Sequence, residues 1–236
     1  MLQTIKSCNN MMVSPHWMAT QAGIDIMRNG GNAIEAMISS AAVISVVYPH
    51  MNSLGGDNFW LINTFDQKLI GVEATGFSSE KATIDFYNSI GLKQIPSRGD
   101  FAAITVPGAV SGWMKAYEYS LQKLNGKKTL EEILDPAIQI ASSGFSVTST
   151  LEKNLKSKKS ELISLKEFSN KYYSNELIEG SVIKFPEMAK TFKLLVKNGF
   201  DDFYKGETFK KIFSDLKKTK CILTENDFKN FNSRFV

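Results

Sequence analysis

The chain has 236 residues, of which 43% are hydrophobic, 11% aromatic and 22% charged, and its formal net charge is +4. These proportions are typical of a globular protein with one large or two small domains, and they exclude wholesale disorder. Acidic residues interrupt the lysines of the second half and arginine is scarce, so no nucleic-acid surface is predicted.

The first elements alternate between apolar runs and clear stop residues. The run Met11 to Val13 predicts a short strand, and a helical apolar face from Trp17 ends at Gly30-Gly31. Asn32 is the expected cap of a second helix over Ala33 to Val47, whose many Ala and Ser residues allow close packing. The most apolar run, Ala36 to Tyr48, is too short to span a bilayer and is interrupted by serines.

A hairpin and a further strand are expected next. The apolar stretches Phe59 to Thr64 and Leu69 to Ala74 predict two strands of a hairpin that turns at Asp66-Gln67. Ala102 to Val106 predicts another short strand, and Pro107 begins the helix that follows it.

Helices dominate the rest of the chain. Thr129 and Glu132 have the spacing of a capping box, and Pro186 and Thr224 each begin a later helix. After Val147 the composition shifts to Lys, Ser and Glu. The sequence therefore predicts an α+β fold, with a strand-bearing core over about residues 1–147 and a helical part over about residues 148–236.

Candidate chemistry is sparse. His16 and His50 each lie in a proline turn outside any metal spacing, so a structural role that satisfies backbone groups is favoured over ligation or general-base work. Cys8 and Cys221 lack CxxC spacing, which argues against a disulfide framework and a thiolate metal site. No nucleophile elbow or phosphate loop occurs, so neither a metal nor a cofactor is predicted.

The N-terminal residues Met1 to Pro15 contain no continuous apolar core and no small-residue cleavage site, so no signal peptide is predicted. A soluble protein without a membrane span is expected, and a cytoplasmic location is favoured. A leader upstream of Met1 remains an alternative.

Five ordered blocks resemble the γ-glutamyltransferase (γ-glutamyltranspeptidase) family of N-terminal-nucleophile hydrolases. They are Ala22-Gly23 with Gly30-Gly31-Asn32-Ala33, Tyr48-Pro49-His50 with Ser53-Leu54-Gly55-Gly56, Val106-Pro107-Gly108-Ala109-Val110 with Gly112-Trp113, Leu134-Asp135-Pro136-Ala137-Ile138 with Gly144-Phe145, and Phe203-Tyr204-Lys205-Gly206 with Leu223-Thr224-Glu225-Asn226-Asp227. Their order and spread over most of the chain make chance similarity an unsatisfactory explanation.

The resemblance implies part of an αββα sandwich, with the hairpin in a sheet and the Ala33 to Val47 helix packed on it. A half-sandwich should leave a sheet edge and an apolar face uncovered. It also implies a γ-glutamyl or related amide as substrate, no cofactor, and an N-terminal threonine nucleophile on a small subunit. That subunit lies outside this chain, so no catalytic residue is nominated and the chain alone is predicted to be inactive.

One expected substrate residue is absent. In the family, an arginine of the large subunit just after the hairpin binds the α-carboxylate of the donor. An ungapped alignment with the family pattern places this arginine at Thr75, and an alignment with a divergent branch of the family places it at Phe77, on the other side of Gly76. The absence of this arginine predicts that glutathione is bound and turned over only weakly. Arg98, in a loop before the Val-Pro-Gly block, is a candidate substitute that approaches from another direction.

The leading hypothesis is the N-terminal portion of a γ-glutamyltransferase-like amidohydrolase or acyltransferase, whose small subunit comes from the same precursor or from a separate chain. The alternative is a truncated, non-catalytic scaffold that needs a separate small subunit. An unrelated binding module would leave the five ordered blocks unexplained.

Overall fold

A computed structural model of the chain describes residues 4–236. The prediction about a signal peptide rests partly on residues 1–3, which lie outside this range. The helices are α1 (Trp17–Arg28), α2 (Ala33–Val47), α3 (Ile84–Ser89), α4 (Ala109–Lys123), α5 (Leu130–Ser143), α6 (Ser149–Ser157), α7 (Lys159–Leu162), α8 (Lys166–Tyr172), α9 (Pro186–Asn198), α10 (Asp202–Lys205), α11 (Glu207–Leu216) and α12 (Glu225–Asn230). The strands are β1 (Asn58–Asn63), β2 (Leu69–Ala74), β3 (Phe145–Ser146), β4 (Val182–Ile183) and β5 (Arg234–Phe235).

The predicted helix starts are confirmed by their caps. The Asn32 side chain accepts the Glu35 backbone N–H, and the Glu35 carboxylate accepts the Asn32 backbone N–H in return. Thr129 and Thr224 make the same reciprocal bonds with the residues three positions on. Such boxes satisfy N–H groups that a helix start otherwise leaves unpaired.

The predicted hairpin is confirmed. β1 and β2 pair antiparallel from Asn58 opposite Ala74 to Asn63 opposite Leu69. The turn between them places Gln67 in the left-handed region at φ 61°. A third strand completes this sheet in the order β1-β2-β5, and β3 and β4 form a separate two-stranded sheet.

Two strand predictions are wrong. Met11 to Val13 has no regular structure, because a run of three residues forms a strand only beside a partner, and here Met12 packs over Gly23 of α1 instead. Ala102 to Val106 makes only an isolated bridge between Thr105 and Ser78. Conversely, the sequence pattern gave no sign of β5, which pairs with β2 from the other end of the chain.

The prediction that α2 packs on the hairpin is also wrong. α2 is buried around most of its circumference and packs chiefly against α1 and α5, with a smaller contact to α4. The helix on the sheet is α4. Its Gly112 lets the side chains of Asn58 in β1 and Ala74 in β2 approach closely, since a Cβ at position 112 would lie 2.3 Å from Asn58 Oδ1.

One hydrophobic core runs through the described residues, from Ala19 in α1 to Phe231 after α12. It draws on residues from both sides of position 147, and the division of the chain near that position stays a prediction. No helix within residues 4–236 combines the length and the apolarity needed to cross a bilayer.

Candidate functional site

The segment Thr75 to Phe77, where the resemblance places the missing arginine, follows β2 directly. The side chains of Thr75 and Phe77 are exposed, whereas Gly76 is buried between them. The Phe77 ring packs edge-on against Phe231, with 5.6 Å between ring centroids. The segment therefore presents two side chains outward from a backbone that is held from behind.

A hydrogen-bonded junction holds that backbone. The Gly76 N–H donates to Asp57 Oδ1 at 2.9 Å, and the Val106 N–H donates to the Phe77 carbonyl at 3.0 Å. The carbonyl of Gly56 accepts the N–H groups of Gly108 and Ala109 at 2.9 and 2.8 Å, respectively. Two of the sequence blocks, those of Gly56 and of Val106 to Val110, thus meet the segment after β2 from behind.

Two glycines are required for this approach. A Cβ at position 76 would lie 1.8 Å from the Val106 carbonyl oxygen, and one at position 108 would lie 1.9 Å from the Ala74 carbonyl oxygen. Both distances are far inside van der Waals contact with backbone atoms that have little freedom to move. The glycines of the Val-Pro-Gly block and of the segment after β2 therefore fix each other's positions.

A cavity of about 360 Å³ lies beside the junction, between the end of α2 and the start of α4. Three side chains that border it, His50, Asn58 and Trp113, carry buried nitrogen or oxygen atoms with no hydrogen-bond partner within the described residues. Asp57 borders it as well and no cation does, so the cavity is unsuited to an anion.

The two histidines differ. The Nδ1 of His16 accepts the Met18 backbone N–H at 3.2 Å and caps α1, which confirms its structural role. The same prediction is wrong for His50, whose two ring nitrogens are buried and unpaired in the described chain. Burial lowers the pKa of both imidazoles from the usual 6.5, so both favour the neutral form.

Arg98 lies in the loop between α3 and α4, where it is exposed and bonded away from the sheet. Its guanidinium contacts Glu161 at 3.5 Å and the Ser97 carbonyl at 3.4 Å. The structure thus brings Thr75, Gly76 and Phe77 together and gives Arg98 a partner in α7 rather than in that segment. Among residues 4–236 no group of three or more His, Cys, Asp or Glu side chains could hold a metal ion.

The sheet has an outer face that nothing in residues 4–236 covers. Phe59, Leu61 and Leu69 are exposed on it, and Val236 joins them opposite Gly71. The expectation of an uncovered apolar face is met here, and β1 is a free edge of the sheet. The Thr75 to Phe77 segment leaves the sheet at one end of this face.

Comparison with known proteins agrees with the five blocks. The family model described as gamma-glutamyltranspeptidase matches residues 19–236. The chain belongs to this family. It is 36% identical over 230 residues to the oxamate amidohydrolase proenzyme of Klebsiella pneumoniae, covering 97% of this chain and 43% of that protein.

Other members of the γ-glutamyltranspeptidase family extend the comparison. The glutathione hydrolase proenzyme of Escherichia coli is 29% identical over 231 residues, which are 94% of this chain and 38% of that protein. The γ-glutamyltranspeptidase structure from Helicobacter pylori superposes with a TM-score of 0.88 over 99% of this chain and 67% of that one, and at 23% identity it shows the fold. The chain spans less than half the length of these curated relatives.

Sequence reasoning missed two site features. Asp57 is not among the candidate residues of the sequence analysis, yet it accepts the hydrogen bond from the Gly76 N–H. Arg234 was not considered at all, although the structure places it on the strand next to β2, opposite Glu73. The last residues, Ser233 to Val236, do not alternate between polar and apolar, so no sequence signal for a strand was available there.

Proposed function

We propose that the complete protein is a γ-glutamyltransferase-like amidohydrolase or acyltransferase and that this chain forms its N-terminal portion. The observation that carries the proposal is the uncovered outer face of the sheet, which ends at the Thr75 to Phe77 segment in a family member of less than half the usual length. Exposed apolar area of this kind marks a surface that another part of a protein covers.

The proposed reaction is acyl transfer through a threonine at the start of the small subunit. Its hydroxyl attacks the amide carbonyl while its own α-amine takes the proton, and backbone N–H groups stabilise the oxyanion. The amine leaves with that proton, and an acyl-enzyme remains. Water or an amino acid then attacks the ester, which releases the acid or a new amide and restores the threonine.

This chain would supply one wall of the substrate site. The side chains of Thr75 and Phe77 face outward from a backbone that Asp57 and the two interlocked glycines hold in place. The substrate is proposed to be a small amide with a carboxylate near it, because both oxamate and glutathione, after which relatives are named, combine these groups. The binding partner is the small subunit.

A non-catalytic scaffold is the second candidate. The observation that favours it is the absence of an arginine at Thr75 and Phe77. An acyltransferase that bound its donor only through uncharged groups there would forgo a hydrogen bond to a charged group, typically worth about 1.5–3 kcal/mol.

One experiment separates the two candidates. The gene is read beyond the codon for Val236, the complete protein is produced, and its self-cleavage is followed on a denaturing gel. Release of ammonia from oxamate and of glutamate from glutathione is then measured. Two fragments together with turnover of either amide support the enzyme. An intact polypeptide that turns over neither amide refutes it and supports the scaffold.

A further inference from the structure

A second cavity, of about 610 Å³, lies away from the main sheet. It opens where the start of α1, the start of α6 and the β3-β4 ribbon come together. None of the residues that border it belongs to β1, β2, β5, α4 or the Thr75 to Phe77 segment. The cavity is therefore separate from the proposed substrate wall and from the outer sheet face that the rest of the protein is proposed to cover.

The wall of this cavity is built where one helix ends and another begins. Gly144, at φ 101°, ends α5, and the chain turns at once into β3, where Ser146 is exposed. The Val147 carbonyl accepts the Gly180 N–H at 2.9 Å, which holds the ribbon beside the start of α6. Thr148 then caps that helix with its side chain. The cavity is thus framed by backbone that hydrogen bonds and a helix cap hold in place.

Trp17 gives the cavity an exposed aromatic face. It is the first residue of α1 and is 71% exposed, although tryptophan is usually largely buried. Its ring is nearly parallel to that of His16, with 6.1 Å between centroids and 23° between planes. An indole has a flat apolar face and a single N–H donor at its rim. This surface suits a ligand that combines an apolar face with polar groups at its edge.

His16 supplies a buried hydrogen-bond donor at the same cavity. Only 7% of the residue is exposed, and its Nδ1 accepts the Met18 N–H at 3.2 Å. Because burial lowers the pKa of the imidazole, the ring is neutral and its proton lies on Nε2. Nε2 is on the edge of the ring that faces away from the helix, and no group within residues 4–236 accepts its hydrogen. A buried N–H without an acceptor favours a ligand that offers an oxygen.

The charges around the cavity disfavour both kinds of ion. Glu179 borders it and no lysine or arginine does, so an anion is repelled. The N-termini of α1 and α6 both reach it, and their partial positive charges oppose a cation. A neutral ligand fits instead, since it can donate to the Glu179 carboxylate and accept from His16. The hydroxyls of Ser146 and Ser149, which also border the cavity, can do either.

We propose that this cavity binds a neutral pyranose sugar, with the C–H face of the ring stacked on Trp17 and its hydroxyl groups bonded to His16 and Glu179. Each hydroxyl of a pyranose both donates and accepts, and the ring C–H bonds form an apolar face, so the sugar has the mixture of groups that this cavity complements. The volume lies in the range of small-molecule sites. The site is independent of the proposed amide chemistry.

The test measures binding to the complete protein by saturation-transfer NMR and by tryptophan fluorescence. Methyl β-D-glucoside is compared with two charged analogues of the same ring, methyl β-D-glucuronide and methyl 6-amino-6-deoxy-β-D-glucoside. The methyl glycosides of galactose and mannose cover the neutral epimers. At least one neutral glycoside should bind saturably and more tightly than both charged analogues. Cellobiose is added as a chain of two rings: tighter binding than the methyl glucoside assigns the end of a glycan, equal binding assigns a free sugar, and each supports the site.

Four variants test the assigned roles. Trp17→Ala should weaken binding of the neutral glycoside by about tenfold, because the stacking surface is lost, and Trp17→Phe should recover part of it. Phe65→Ala is the matched control, since it removes a fully exposed aromatic ring at the hairpin turn. His16→Asn keeps a cap for α1 but loses the Nε2 donor, so binding should weaken. Glu179→Gln, on an exposed residue, should reduce the discrimination against the glucuronide.

Three results overturn the proposal. They are the absence of saturable binding by every neutral glycoside, tighter binding of either charged analogue, and equal weakening by Trp17→Ala and Phe65→Ala. Because the readout is binding, it stays distinct from the test of the proposed function. A protein that hydrolyses no amide but binds the glycoside through Trp17 refutes the amidohydrolase proposal alone, and an active enzyme that binds no glycoside refutes the sugar site alone.

Discussion

The two faces of the β1-β2-β5 sheet have opposite environments, although they are built from alternate residues of the same strands. On the inner face Ile62 and Val72 are buried against α4 and the core, and 8% of Ile62 is exposed. On the outer face the neighbouring Leu61 is 75% exposed and faces no other part of the described chain. Strand alternation alone thus separates the buried core from a face that no part of residues 4–236 covers.

The largest expected effect tests that contrast directly. Ile62→Ala should lower the free energy of unfolding by about 2–5 kcal/mol, because it leaves a cavity under α4. Leu61→Ala should change it by no more than about 0.5 kcal/mol in the chain of 236 residues. Urea unfolding measures both. In the complete protein Leu61→Ala should also become costly, and a negligible effect there would show that nothing covers the outer face.

The hydrogen-bonded junction behind the Thr75 to Phe77 segment should not accommodate a methyl group at position 108. Gly108→Ala is expected to cost about 3 kcal/mol, because the new Cβ meets the Ala74 carbonyl oxygen at 1.9 Å. Gly55→Ala is the matched control, since a Cβ there meets only the Ser53 hydroxyl at 3.8 Å. Thermal unfolding of the two variants compares them, and equal midpoints would contradict the close approach.

Asp57 links the junction to the outward segment. Asp57→Ala should cost about 1.5 kcal/mol, because the Gly76 N–H loses a charged acceptor, and Asp57→Asn should cost less because it keeps an oxygen. Hydrogen exchange of the Gly76 amide is the direct measurement. Unchanged protection in the alanine variant would show that this bond does not hold the segment.

Burial of His50 predicts that the free energy of unfolding depends on pH. Its pKa is lowered from 6.5 by burial, so the unfolded state binds the proton more readily. The associated stability is complete above about pH 6.5 and declines as the pH falls through that value towards the lower pKa of the folded state. His50→Asn should flatten this part of the curve of unfolding free energy against pH. His16→Asn retains a capping side chain and gives the contribution of the other histidine.

The smallest expected effect on stability lies on the outer face. Arg234→Ala should change the free energy of unfolding of the chain by about 0.2–1 kcal/mol, because its pair with Glu73 is mostly exposed. Added salt should reduce even this difference. Denaturation at low and high ionic strength checks it. A loss of several kcal/mol would indicate that Arg234 is a structural residue.

The sequence determined what depends on near neighbours. The reciprocal caps at Asn32, Thr129 and Thr224 and the hairpin turn at Gln67 each involve residues a few positions apart, so their patterns are visible in any short window. The five blocks also identified the family. Glycines such as Gly108 belong to these blocks because a side chain there would collide with a neighbouring backbone.

Tertiary structure alone decided which elements meet. The bond from Gly76 to Asp57 joins residues 19 positions apart, and the pair of Arg234 with Glu73 joins residues 161 apart. α2 has apolar residues on every side, so its pattern did not reveal that α4, rather than α2, packs on the sheet. β5 is only two residues long and has no periodic signal, and the hydrogen bonds of Ser233 to Ser111 hold it in place. Contacts of this kind depend on the packing of distant segments, which no local pattern encodes.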